Sequence, residues 1–169
     1  MLLKNKIIKQ LLFLAFVFYF QVISYGQGKI LESVLKKNEI GKVYCFDSST
    51  KKDGFDKIFI RYLGRIKTGE GKEINILSWS RIWGKNRHTS GTIYIYDNAN
   101  KYIGQYTLGS SLDLPDKVEN RNLIFKNKNK SDCDSTLETK IDFSKGIPKD
   151  IFIKCKGSSG DIYSLSIDE

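Results

Sequence analysis

The sequence predicts an antiparallel all-β domain, and three observations carry that prediction. From residue 43 onward, apolar and polar residues alternate with a period of two in one segment after another. β-branched and aromatic residues are concentrated in these segments, whereas Gly, Asn, Asp and Ser fill the spaces between them. The segments recur about every 8 to 15 residues, which leaves no room for the helical crossovers that parallel strands require.

Each predicted strand is bounded by a turn or a polar loop. The predicted strands are residues 43–46, 57–66, 73–83, 91–96, 101–108, 122–126, 137–143, 150–156 and 161–167. The clearest hairpin joins residues 91–96 to 101–108 through an Asx-rich turn. In the longest strand the apolar face switches between Ile76 and Leu77, which indicates either a β-bulge near Leu77 or a strand buried on both faces. Because short connections keep sequence neighbours adjacent, we expect a meander of about eight or nine strands that forms a β-sandwich or a barrel.

The first 26 residues have the three parts of a secretory signal peptide. Three lysines precede an apolar run over residues 11–20, and Ser24 and Gly26 place small residues at the −3 and −1 positions of a cut after Gly26. The run is shorter than the roughly 20 residues that a membrane span needs. We therefore expect cleavage, with a retained anchor as the alternative. The expected product is a single all-β domain, residues 27–169, secreted or periplasmic and without a stable membrane span.

A short helix is expected between the signal peptide and the first strand. In residues 29–37, Ile30, Val34 and Leu35 share one helical face. Gly41 follows and is suited to end the helix.

The chain is strongly basic, with a formal net charge of +9 over 169 residues. A basic surface attracts anionic molecules, so an anionic glycan or another acidic partner is the partner that charge indicates. The lysines are scattered along the chain, and a merely solvated surface has the same appearance. We expect no nucleic-acid partner.

Three cysteines, Cys45, Cys133 and Cys155, lie in the expected exported part, where disulfides can form. Cys133 and Cys155 are the leading pair because they flank one predicted hairpin. A hairpin turning near Gly146 would place Cys155 opposite Thr139, so the bridge requires the chain to bend back. Three reduced cysteines in the core are the alternative.

The segment Trp79–His88 is the most suggestive candidate site. It holds both tryptophans of the chain with basic side chains between them. Aromatic faces combined with cations can stack on sugar rings and hold anionic groups. The candidate binding residues are Trp79, Arg81, Trp83, Lys85, Arg87 and His88. The alternative is that Trp79 belongs to the core, Trp83 packs at the strand end and the cations face water.

The sequence gives little support for catalysis. His88 is the single histidine and is expected in a loop, and no G-x-S-x-G nucleophile elbow is present. One histidine among scattered acids does not make a zinc site, and no calcium-loop pattern occurs. We expect no metal and no cofactor. The sequence therefore favours an exported, non-catalytic binding or structural module, with an exported hydrolase or a lipocalin-like carrier of an apolar ligand as the alternatives.

Overall fold

The computed structural model describes residues 28–52, 54–127 and 130–167. These residues form a sandwich-like all-β fold with one helix, α1, before the strands; its described part is residues 28–37. The strands are β1 (Val43–Asp47), β2 (Asp56–Lys67), β3 (Glu73–Trp83), β4 (His88–Asp97), β5 (Tyr102–Leu108), β6 (Lys117–Glu119), β7 (Asn122–Lys126), β8 (Glu138–Asp142), β9 (Asp150–Lys156) and β10 (Ser159–Ser166). The predicted signal peptide lies outside the described residues. Within the described residues, no helix is both long and apolar enough to cross a membrane.

The strands form two antiparallel sheets. The large sheet has seven strands in the order β1-β2-β3-β4-β5-β10-β9, and the small sheet has three in the order β6-β7-β8. The first five strands are the predicted meander, and β10 adds to it beside β5. The hairpin predicted around Asp97 is confirmed, since the carboxylate of Asp97 accepts backbone N–H bonds from Ala99 and Lys101, both at 2.8 Å.

The large sheet packs against a core on each of its two faces. On one face the small sheet packs over a core whose fully buried members include Ile76, Tyr106 and Phe143. On the other face α1 packs over a second core that contains Leu77. Ile76 and Leu77 thus point into different cores, which explains the switch of the apolar face in β3.

The predicted β-bulge exists, but it lies on the neighbouring strand. Pairing of β2 with β3 shifts between Tyr62 and Gly64, directly opposite Leu77 and Ile76. Gly64 has a φ of 125°, a conformation that L side chains rarely adopt. The pairing of β3 with β4 has no such shift, so β3 itself is regular.

The predicted hairpin between residues 137–143 and 150–156 is wrong. β8 pairs with β7 in the small sheet, whereas β9 pairs with β10 in the large sheet. Residues 143–149 cross from one layer to the other, and the Tyr106 hydroxyl donates to the carbonyl of Pro148 along this crossing. The sequence also missed β6, so the described residues contain ten strands rather than eight or nine.

Cys133 and Cys155 lie at disulfide distance, as the leading pairing predicts, and Cys45 is exposed without a disulfide partner. The chain bends back here because Asn127, buried at the end of β7, binds both approaching segments. Its side-chain amide donates to the carbonyls of Asp134, at 3.1 Å, and of Cys155, at 3.3 Å. The cysteine pair therefore joins the loop before β8 to β9, across the two layers.

The helix and the last strand bury partly different side chains from those predicted. In α1 the buried residues are Leu31, Val34 and Leu35, while Ile30 is only partly buried. The alternation in residues 161–167 predicts that Tyr163, Leu165 and Ile167 are buried on one face. Tyr163 and Leu165 do pack against the core, whereas Ile167 is 61% exposed because it follows the end of β10.

Candidate functional site

The structure divides the six predicted binding residues between a sheet face and a turn. Trp79, Arg81 and Trp83 occupy alternate positions of β3, so their side chains share the face that carries α1. His88 lies directly opposite Trp83 and shares that face. It begins β4, which corrects the expectation that it lies in a loop. The other two residues belong to the exposed turn that joins β3 to β4. These are Lys85 and Arg87.

The two tryptophans have different surroundings. Trp79 is partly buried and packs against the core beneath α1, so its main contribution is to packing. Trp83 lies at the strand end and is also only partly buried. The Arg81 guanidinium lies 5.8 Å from the Trp83 ring centre, and the His88 ring lies 5.9 Å from it with a tilt of 39°. Of the two tryptophans, Trp83 is therefore the one whose ring can contact a ligand.

Arg81 is already paired with a carboxylate. Its Nε and one terminal nitrogen donate to the two carboxylate oxygens of Asp56 at 2.8 and 3.0 Å. This bidentate pair lowers the pKa of Asp56, chiefly through the hydrogen bond from Arg81, and raises the pKa of Arg81 for the same reason. Arg81 consequently positions Trp83 and is a poor candidate for binding a second anion.

The loop between β1 and β2 adds an aromatic residue that the sequence analysis missed. The backbone N–H of Gly84 donates to the carbonyl of Phe55 at 2.7 Å, which holds this loop beside the β3–β4 turn. The Phe55 ring centre lies 5.0 Å from the Arg87 guanidinium and 5.1 Å from the Lys57 ammonium group. An isolated aromatic residue directly after the Asp-Gly dipeptide of residues 53 and 54, a sequence typical of turns, is the signal that could have indicated it.

Together the two turns form a surface that we call the basic end. Its exposed cations come from both turns, and Phe55 and Trp83 lie next to these turns in the chain. They are Lys51, Lys52, Lys85 and Arg87. Two nearby carboxylates are already engaged, Asp56 by Arg81 and Asp47 by Lys57 at 2.9 Å. The basic end thus combines exposed positive charge with partly exposed aromatic faces.

The arrangement offers little for metal or acid–base chemistry. Across the described ranges, no group of three His, Cys, Asp or Glu side chains is placed to hold a metal ion. His88 contacts the Trp83 ring rather than a carboxylate. Comparison with family models, with curated proteins and with solved structures found no match to this chain.

Proposed function

We propose that this chain is an exported binding module that binds an acidic glycan at the basic end. The observation that carries the proposal is that two adjacent turns present exposed cations next to two partly exposed aromatic rings, with the Arg87 guanidinium 5.0 Å from the Phe55 ring centre. Sugar rings present flat C–H faces that stack on Trp83 or Phe55, while carboxylate or sulfate groups meet the lysines and Arg87. A glycan with repeated anionic groups supplies both features along one chain.

Export is the second part of the proposal. It is supported by the signal-peptide pattern in residues 1–26 and by the paired Cys133 and Cys155, which suit an oxidising compartment.

The geometry gives less support to the two alternatives. A lipocalin-like carrier needs an interior that its own side chains do not fill. Here the space between the sheets is occupied by large buried side chains such as Tyr106 and Phe143. A hydrolase needs a general base aligned with a nucleophile, and His88 instead lies against Trp83.

Binding to polygalacturonate, with uncharged dextran as the reference polymer, tests this function by affinity electrophoresis and calorimetry. The double variant Lys85→Ser/Arg87→Ser should weaken polygalacturonate binding about fivefold or more at low ionic strength, and added salt should reduce the difference. Trp83→Ala should weaken it about tenfold through lost stacking.

The matched control is Lys101→Ser/Lys149→Ser, which removes the same charge from exposed positions away from the basic end. It should bind within about twofold of the unaltered protein. Equal loss in both double variants would show that only net charge matters. Equal binding to dextran, or no binding to polygalacturonate, would also overturn the proposal.

A further inference from the structure

A second site of different chemistry lies on the opposite face of the large sheet. A cleft of about 280 Å³ opens there, at the end of β1, β2 and β3 that the small sheet leaves uncovered. Its floor contains Arg61 opposite Ser78 and Phe59 opposite Ser80 in the pairing of β2 with β3. Its wall is the segment after β5, residues 111–116. These side chains come from distant parts of the sequence.

The polar groups of the floor are only partly engaged by the described protein. Ser78 is only 4% exposed and Ser80 only 9%, yet within the described ranges neither hydroxyl forms a side-chain hydrogen bond. Arg61 is partly buried and donates from one terminal nitrogen to the carbonyl of Pro115 at 2.6 Å. No carboxylate of the described chain lies within ion-pair distance of it. Burial lowers the pKa of Arg61, and the nearby charge of Asp116 offsets this effect only in part.

Part of the cleft is lined by apolar side chains. Phe59 and Leu114 line it, and Val43 and Leu112 stand at its opening, 54% and 47% exposed. Exposed aliphatic side chains beside a guanidinium and two hydroxyls that line the cleft match a ligand that has one polar end and one apolar end.

The wall of the cleft is held in place before any ligand arrives. Gly91 on β4 allows the segment to lie directly on the sheet, since an added Cβ would come within 2.6 Å of the Ser110 carbonyl oxygen. Ser110 and Asp113 cap the short 3₁₀ turn reciprocally, and Asp113 also forms a largely buried ion pair with Lys130. A rigid wall lowers the entropy that binding must overcome.

We propose that this cleft binds a small organic acid, with the carboxylate on Arg61, Ser78 and Ser80 and the apolar part against Phe59 and Leu112. A guanidinium and a carboxylate match in both charge and geometry. A phosphate dianion fits less well, because its second charge would face Asp116 at the cleft edge. Lys126, which also lines the cleft, is engaged with Glu138 at 3.5 Å and does not supply a second free cation.

Calorimetric titration with hexanoate, 1-hexanol and acetate tests the two halves of this ligand separately. Hexanoate should bind. Hexanol lacks the carboxylate and acetate lacks the apolar tail, so each should bind at least about tenfold more weakly than hexanoate. Equal affinity for hexanol and hexanoate would overturn the assignment of the polar end, and no hexanoate binding would overturn the site.

Variants locate the binding. Ser78→Ala/Ser80→Ala should weaken hexanoate binding about tenfold without lowering the melting temperature, because the hydroxyls have no partner to lose in the free protein. Arg61→Met should abolish binding. Ser90→Ala, on the opposite face of the same sheet, is the matched control and should leave the affinity for hexanoate unchanged. If Ser90→Ala weakened hexanoate binding as much as the double variant, the assignment of the ligand to this cleft would be overturned. Lys85→Ser/Arg87→Ser should not change the affinity for hexanoate. The cleft and the basic end are therefore tested independently of each other.

Discussion

The ion pair between Arg81 and Asp56 determines which cations of the basic end are available to a ligand. The two residues are 25 positions apart in sequence, and their bidentate contact connects the ends of β2 and β3. By occupying the guanidinium, Asp56 converts Arg81 from a free cation into a support for the Trp83 ring. The exposed charge of the basic end therefore comes from turn residues such as Lys85 and Arg87.

The Asp56–Arg81 pair should stabilise the fold only where Asp56 is ionised. Because Arg81 lowers the folded-state pKa of Asp56, this stabilisation is complete above the unfolded pKa of about 3.9 and is lost as pH falls through the folded value. The pair is partly exposed, so Asp56→Asn should cost about 0.5–1 kcal/mol at pH 7. Urea unfolding from pH 7 down to pH 2 should show this difference shrinking below about pH 4.

Asp161→Asn is the control for that series, since Asp161 is an exposed carboxylate away from the pair. It should change the unfolding free energy by less than about 0.5 kcal/mol throughout. A cost for Asp56→Asn that stays constant down to pH 2 would show that the loss is one of packing rather than of charge.

At the scale of elements, α1 covers a face of the large sheet that would otherwise be exposed. The buried side chains of the helix meet Ile60, Tyr62 and Leu77 in one core. Alternate strand positions put these apolar side chains on the helix side, while Ile76 and Ile93 face the small sheet. The sheet is therefore a central layer, and α1 is as much a part of the fold as a strand.

Truncating the helix side of this core should be costly. Leu31 is 2% exposed, so Leu31→Ala should lower the free energy of unfolding by about 2–5 kcal/mol. Ser33→Ala, on the exposed side of the same helix, should change it by less than about 0.5 kcal/mol. Tryptophan fluorescence can follow the unfolding, since Trp79 packs against this core. Similar costs for the two variants would mean that α1 does not dock in solution.

The sequence predicted best those strands in which polar and apolar residues alternate along the whole strand and turn residues stand at both ends. β3, β7 and β9 have the predicted bounds because each strand is bounded by turn residues. β6 was missed because its three residues contain a single apolar side chain, Val118. The pairing of β8 was wrong because Gly146-Ile147-Pro148 resembles a hairpin turn, and only the packing of Phe143 between the layers shows that the chain crosses there.

At the scale of the whole molecule, sites depend on contacts that sequence does not reveal. The segment Trp79–His88 was identified by its residue types, and period two could place its β3 members on one face. The partner of Arg81 could not be predicted, because Asp56 comes from another strand. The cleft had no local signal at all, since Arg61, Ser78 and Pro115 meet only through the bulged pairing of β2 with β3 and the fold of residues 110–116 over Gly91.

The connection between the two layers leads to a prediction for the molecule as a whole. The pair Cys133–Cys155 closes a loop with a sequence separation of 22 and ties the small-sheet side to β9 of the large sheet. Such a loop restricts the unfolded chain, so Cys133→Ser/Cys155→Ser should lower the free energy of unfolding by roughly 3 kcal/mol. Urea denaturation measures the loss, and dithiothreitol should produce the same loss in the unaltered protein. Cys45→Ser, at an exposed position without a disulfide partner, should change nothing. If the double variant and the reduced protein were as stable as the oxidised protein, Asn127 and the packed cores would suffice to hold the layers together.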